Sequence, residues 1–240
     1  MQGSKKIIDK NRTDLIAAAG KSIAGAIPVA GPLLSELIDY LIPDQRIDRL
    51  ARYISELESK LSHISEEIVR ETLKSEENIS LAEDGFIHAS RAISKERTSY
   101  IASIVANGLS DAEIEAHRQK YLLNLLSEIN DEEIIWLRMY LHPEISGDHE
   151  FREKHKVILA PASASMDASE KELDKYALQE SYKDHLERLG LVRPNIRVDR
   201  TTKIPEFDSR TGKPKKSSTD ITHLGRMLLR EIGLVDVVDN

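Results

Sequence analysis

The sequence predicts a mainly α-helical protein: a multi-helix bundle with one long heptad helix, followed by a small C-terminal domain that mixes helix and strand. Three observations carry this. Aromatic residues make up 5% of the chain, with Trp136 the single tryptophan, so the core is aliphatic and suits packed helices. Apolar residues recur at spacings of three and four through residues 44–142. The last 72 residues read as helix, strand, long polar excursion, strand, helix.

Composition sets the outer limits. A chain of 240 residues has room for one or two domains and a real core. With 40% apolar and 31% charged residues it is expected to fold in water. The absence of cysteine excludes disulfides, thiol catalysis and Cys-ligated metal. A formal charge of −7 argues against the whole protein being a polyanion binder, although a local patch can differ. Lys5, Lys6, Lys10 and Arg12 are interrupted by Asp9 and Asp14, and no cleavage site follows. No signal peptide is therefore expected, and the expected location is cytoplasmic, with membrane association through the next segment as an option.

Residues 1–43 form the first expected domain, a Gly/Ala-rich apolar helical hairpin. Its longest uncharged run, Ser22 to Ser35, is 14 residues, too short for a spanning helix. Pro28 and Pro32 break the helix and place a turn near Gly31. In the resting protein this hairpin is expected to pack inward. In an activated state Ile23, Ile27, Val29, Leu33 and Leu34 are its candidate membrane-contact residues.

Residues 44–142 are the expected helical body, opening with a coiled-coil-like helix over 44–74. Ile47, Leu50, Ile54, Leu57, Leu61, Ile64 and Ile68 form an unbroken heptad seam, with β-branched residues enriched in one row. That pattern fits either a homodimer or an antiparallel contact with another helix of the same chain. Amphipathic helices follow. Ser94, Ser110 with Glu113, and Asn130 with Glu133 are the expected N-caps. Between Asp44 and Glu133 there are 19 acidic and 11 basic residues, a net of −8, which reads as the solvated faces of these helices.

Residues 143–168 read as a loop and linker. His142, Asp148, His149 and His155 lie close in sequence but lack the spacing of a metal motif, so no metal is expected. The C-terminal domain is expected over 169–240. Ser169 with Glu172 begins its helix, Gly190 ends it, Leu191 to Arg193 and Asp220 to Thr222 are strands, and Gly233 stops the last helix. Asp208 to Lys213 forms a turn in the polar excursion 194–219.

The order helix, strand, long hairpin, strand, helix, with His185-Leu186-Glu187-Arg188-Leu189-Gly190-Leu191-Val192 and Ile221-Thr222-His223-Leu224-Gly225-Arg226, resembles a winged-helix domain over roughly residues 130–233. The resemblance implies that 194–219 is the wing, that Thr222 caps the last helix, and that Gly225 lets this helix approach the sheet. A wider resemblance takes in the apolar start, the heptad helix, Ser103-Ile104-Val105-Ala106-Asn107-Gly108-Leu109, the segment Leu122 to Trp136, and the terminal Ile-Thr-x-x-Gly. This layout is similar to the Abi-alpha abortive-infection family. It implies a role in bacterial phage defence and supplies no catalytic residue.

No hydrolase elbow, zinc-protease helix or dinucleotide loop is present, so neither catalysis nor a cofactor is expected. Two function classes remain. The first is a non-catalytic defence protein acting through a protein partner, with membrane contact of its apolar start. The second is a winged-helix nucleic-acid-binding regulator. The helix expected to enter a DNA groove exposes Gln179, Glu180, Lys183, Asp184, Glu187 and Arg188, a poor match to phosphate. The wing is the better candidate for an anionic partner. Arg197, Arg200, Lys203, Arg210, Lys213, Lys215 and Lys216 face three acids there, a net of +4. They would hold nucleic acid weakly, or form a solvated loop.

Overall fold

The structure, a computed structural model, describes residues 44–110, 116–143, 148–162, 164–165, 167–209 and 212–235; within these, the side chains of 44–48 and 66 are not described. The expected hairpin over 1–43, with Ile23, Ile27, Val29, Leu33 and Leu34, lies outside them. So do Glu113 of the expected capping box, Arg210 and the side chain of Ile47. Among the described residues the chain is mainly helical, with ten helices and one two-stranded antiparallel sheet. The helices are α1 (Asp44–Leu61), α2 (Glu66–Thr72), α3 (Glu76–Arg91), α4 (Lys95–Ser110), α5 (Ala116–Glu128), α6 (Asp131–Met139), α7 (His149–Lys154), α8 (Lys156–Leu159), α9 (Glu170–Arg188) and α10 (His223–Glu231). The strands β1 (Val192–Ile196) and β2 (Lys216–Ile221) lie between α9 and α10. None of these helices is long and apolar enough to cross a membrane. Two units result, one of residues 44–127 with Glu231–Gly233, the other of residues 128–230 with 234–235.

In the first unit the heptad pattern runs on after the helix has stopped. Helix α1 ends at Leu61, where Ser62 turns its hydroxyl back to the Ser59 carbonyl at 2.7 Å. Ser65 then takes an extended backbone and accepts from the Ile68 N–H, which starts α2. Two serines in four residues offer the backbone a cap where the apolar spacing alone would continue the helix. The expected helix over 44–74 is therefore two helices, with Ile64 in the turn between them. Leu50, Ile54 and Leu57 are buried, as is Tyr53, because α1 packs on α3 and α4 of the same chain. Among the described seam residues Ile68 is the most outward, 43% exposed.

Two glycines set the spacing here. A Cβ on Gly85 would stand 2.5 Å from the Tyr53 hydroxyl and 2.7 Å from Val105 Cγ2. On Gly108 it would meet the Leu81 side chain. Helix α3 is capped by Ser75, whose oxygen accepts from Asn78 N and whose hydroxyl lies 2.6 Å from Glu77 Oε2. The Ser75 hydroxyl holds the Glu77 carboxyl below its ordinary pKa, its own backbone adding to this. Ser94 caps α4 through the Arg97 N–H at 3.0 Å, as expected. Arg97 reaches the Leu126 carbonyl at 2.7 Å and ties α4 to α5. The buried polar groups are matched in one place: the Asn107 and Gln119 amides donate to Glu231 Oε2 at 2.8 and 3.1 Å. Among the described residues the Tyr53 hydroxyl finds no partner, and burial pushes its pKa up.

In the second unit α6 begins with the expected capping box, Asn130 and Glu133 each bonding the other's backbone at 2.9 and 2.7 Å. Helix α9 begins with the Ser169–Glu172 box. It ends in a Schellman motif: Leu191 N donates to Leu186 O, Gly190 N to Glu187 O, and Gly190 takes φ +71. The loop expected over 143–168 contains two short helices, α7 and α8. The strands pair from Val192↔Ile221 to Asn195↔Ser218, then shift to Ile196↔Lys216, so a bulge twists the hairpin as it leaves the unit.

The closing turn follows the expected chemistry. Thr222 Oγ1 accepts from Gly225 N at 3.1 Å and donates to the Gly190 and Leu191 carbonyls at 2.7 and 3.0 Å. A Cβ on Gly225 would strike the Leu191 carbonyl and stand 2.8 Å from Ile221 Cγ1.

Two stability tests follow from this packing. Leu57→Ala is expected to cost about 2–5 kcal/mol, because a buried leucine leaves a cavity. Leu57→Glu is expected to unfold the helical unit, read as lost helical circular dichroism, rather than leave a folded monomer. Gly225→Ala is expected to cost about 1–3 kcal/mol. Gly108→Ala should cost less, since the Leu81 side chain can rotate away and the Leu191 backbone cannot. Thermal unfolding of the two glycine variants checks the order.

Candidate functional site

Helix α9 and the hairpin that follows it enclose a groove of about 860 Å³ in the second unit. The helix contributes Glu180, Asp184 and Glu187, and the hairpin Ile196, Pro214 and Lys216. Lys216 closes the base of the groove. Its Nζ lies 2.6 Å from Glu187 Oε2 and 3.5 Å from Asp184 Oδ1. Partial burial opposes the Lys216 charge, but the hydrogen bonds and charges of Glu187 and Asp184 outweigh it and raise the pKa above the ordinary 10.5.

Beyond the strands the chain from Arg197 to Lys215 doubles back on itself. Arg197 N donates to Lys215 O at 2.8 Å, Glu206 N to Arg197 O at 2.9 Å, and Lys215 N to Glu206 O at 2.8 Å. Three short segments thus meet side by side, with bridges at Val198↔Pro205 and Phe207↔Pro214. Glu206 sits between two cations, 3.4 Å from Arg197 and 3.8 Å from Lys215. The expected turn at Asp208 to Lys213 is present: Asp208 N donates to Lys213 O, Gly212 N donates to Asp208 O, and Gly212 has φ +68.

A second turn, at Asp199 to Ile204, is one the sequence reading missed. Asp199 Oδ1 accepts from Thr201 N and Thr202 N at 2.9 and 2.7 Å. The Thr202 backbone bond, then its hydroxyl and the Thr201 N–H, hold the Asp199 carboxyl below its ordinary pKa. The signal was there in Asp-x-Thr-Thr, a self-capping turn. Lys203 takes a left-handed φ of +58 within it.

Several expected placements change. Gln179, expected on the exposed face of α9, is buried. Its amide accepts from Ala162 N and donates to the Ile158 and Ala160 carbonyls at 2.9–3.1 Å, so it pins the segment after α8 onto α9. Length and polarity do not show inward direction, and Gln179 differs from its neighbours only in what it meets. Lys183 pairs with Glu180 at 2.8 Å and stands 5.2 Å above the Trp136 ring. A cavity of about 300 Å³ lies beside Trp136, Met139 and Tyr176.

The histidines of 142–155 take separate roles. Arg138 pairs with Asp148 and lies 4.7 Å over the Phe151 ring, and the His155 ring meets Phe151 at a tilt of 50° with centroids 4.6 Å apart. Among the described residues no three His, Asp or Glu side chains gather as a metal site. His185 Nδ1 lies 2.6 Å from Glu133 Oε1, while the other oxygen of this buried carboxylate caps α6. This pair joins α9 to α6, and neither residue lines either cavity. No family model, no curated protein and no solved structure matches this chain.

The Lys216 clamp carries a signed pH dependence. Its folded pKa is raised, so its stabilisation is complete below pH 10.5 and is lost as pH rises through the folded value. Lys216→Met is expected to cost no more than about 0.5 kcal/mol at neutral pH, since the pair is largely in water. The variant should also lose less stability than the wild type above pH 10.5. Urea unfolding of both proteins on either side of that pH checks it.

Proposed function

We propose that this chain is a non-catalytic binding protein of the abortive-infection type, acting in bacterial phage defence, whose winged-helix-like C-terminal unit uses the hairpin 197–215 as its contact surface. The observation that carries this is the division of charge in that unit. Three acids, Glu180, Asp184 and Glu187, line the α9 side of the groove beside the single cation Arg188, so the helix offers a net acidic face, a poor match to a phosphate groove. The cations gather on the hairpin, where Arg197, Lys213, Lys215 and Lys216 line the opposite side of the groove. The similarity to the Abi-alpha layout supports the defence role. The use of Glu133 and His185 in capping and helix contact supports a role without catalysis.

The second reading, nucleic-acid contact through the wing, is favoured by one feature. Among the described residues, no ion pair engages Arg200 or Lys203. Binding of that kind is sequence-independent and steeply salt-dependent.

Phage plating on cells with and without the gene tests the reading. The gene is expected to lower plating, Arg200→Glu with Lys203→Glu to abolish that effect, and His185→Gln to leave it unchanged. Equal plating with and without the gene overturns the defence role. Loss of protection in a folded His185→Gln protein would restore a catalytic reading. In mobility shifts with duplex DNA, the double charge variant would reduce the salt slope by about 2 if both cations met phosphate.

A further inference from the structure

We infer that the hairpin tip is a lobe that inserts into the surface of an anionic lipid bilayer. This rests on the reading of the hairpin as the contact surface and names its partner.

The pairing of the three hairpin segments sorts their side chains. Residues opposite one another across a bridge share a face, and so do residues two apart along a strand. Ile196 pairs with Lys216, Val198 with Pro205, and Phe207 with Pro214. Stepping by two links Ile196 to Val198, Pro205 to Phe207, and Pro214 to Lys216, so all six fall on one face without contradiction. Arg197, Glu206 and Lys215, whose charges meet, fall on the other. The hairpin is thus two-faced, apolar but for Lys216 at its strand end on one side and charged on the other.

The apolar face is not buried. Exposure is 39% at Ile196, 46% at Val198 and 55% at Phe207; Ile204, in the outer turn and by the same alternation on the side of Glu206, adds 60% exposure at the hairpin's edge. Exposed apolar side chains thus extend from this face to the outer turn. At the strand end of the face Lys216 turns onto Asp184 and Glu187 of α9.

Charge is sorted along the hairpin as well. Near the base Arg197, Lys215 and Lys216 are each paired with carboxylates. At the outer turn Arg200 and Lys203 are exposed and, among the described residues, in no ion pair. Arg200 and Lys203, two cations against the one carboxylate of Asp199 in this turn, stand beside exposed Ile204 and Val198, which fits a surface that offers anions outside and hydrocarbon just beneath. A nucleic acid would satisfy Arg200 and Lys203 and could stack on Phe207, but it has no use for Ile204, Val198, Pro205 and Pro214.

The test uses the full chain and sedimentation with vesicles of phosphatidylcholine alone or mixed with phosphatidylglycerol. The protein is expected to bind the mixed vesicles and to bind the neutral ones at least about tenfold more weakly, with attraction falling as salt rises. Ile204→Asp with Phe207→Asp, and separately Arg200→Glu with Lys203→Glu, should each weaken binding at least about tenfold, the loss expected for two side chains withdrawn from such a surface. All four positions are exposed, and unchanged thermal unfolding of each variant shows that the fold is kept. Equal binding to both vesicle types overturns the inference, as does binding that both variants retain, which would place lipid contact elsewhere in the chain. Duplex DNA bound through Arg200 and Lys203 by a protein that ignores vesicles overturns it in favour of nucleic acid. A protein that protects cells but ignores vesicles defeats this inference alone. One that binds vesicles through the hairpin without protecting cells defeats only the defence role.

Discussion

Gly225 has no Cβ, and the Leu191 carbonyl occupies the space one would take. That carbonyl accepts from the Thr222 backbone and from the Thr222 hydroxyl, both at 3.0 Å. The same hydroxyl caps α10. One carbonyl therefore joins the end of α9, the second strand and the start of the last helix. Because Leu191 directly precedes β1, fixing it fixes where the hairpin leaves the unit. The bulge at Asn195/Ile196 then sets how the hairpin twists. The placement of the exposed tip follows from a contact at the opposite end of the strands.

The two units use buried polar groups in different ways. In the first, the carboxylate of Glu231 is met by the amides of Asn107 and Gln119, and each of these neutral donors lowers the cost of holding the carboxylate away from water. The Tyr53 hydroxyl has no partner among the described residues and sits where Gly85 leaves room. In the second unit, buried polar side chains make connections between elements. Gln179 spends three bonds on the backbone of 158–162, and Glu133 divides its two oxygens between a helix cap and His185.

The charge of the hairpin also changes character along its length. Its cations read from sequence as one basic stretch, but the fold sorts them. Arg197, Lys215 and Lys216 are matched by Glu206, Asp184 and Glu187, and their fields largely cancel. What remains available to a partner is the outer turn, where Asp199 is engaged by Thr201 and Thr202 and Arg200 and Lys203 stand outward. A net charge counted over the whole segment overstates how widely the attractive surface extends.

Chain ends of helices were legible because their chemistry is local. Ser94, the Asn130–Glu133 and Ser169–Glu172 boxes, Gly190 and Thr222 act on groups within a few residues, and each does what its spacing dictates. The mainly helical class followed from the same short-range periodicity. The sequence left open where the seam would go, since Leu50, Ile54 and Leu57 suit a second chain as well as α3 and α4. The heptad helix ended at Leu61 and a new one began at the Ser65 cap, because local serine hydrogen bonds outweighed continued apolar spacing. Gln179 turned inward because the carbonyls of Ile158 and Ala160 lie within its reach, although they are 21 and 19 residues away in sequence. The apolar face of the hairpin is likewise invisible in the chain, where Val198, Phe207 and Pro214 have no common period. Only the pairing of three separate segments puts them on one side, and register between segments is a property of tertiary structure.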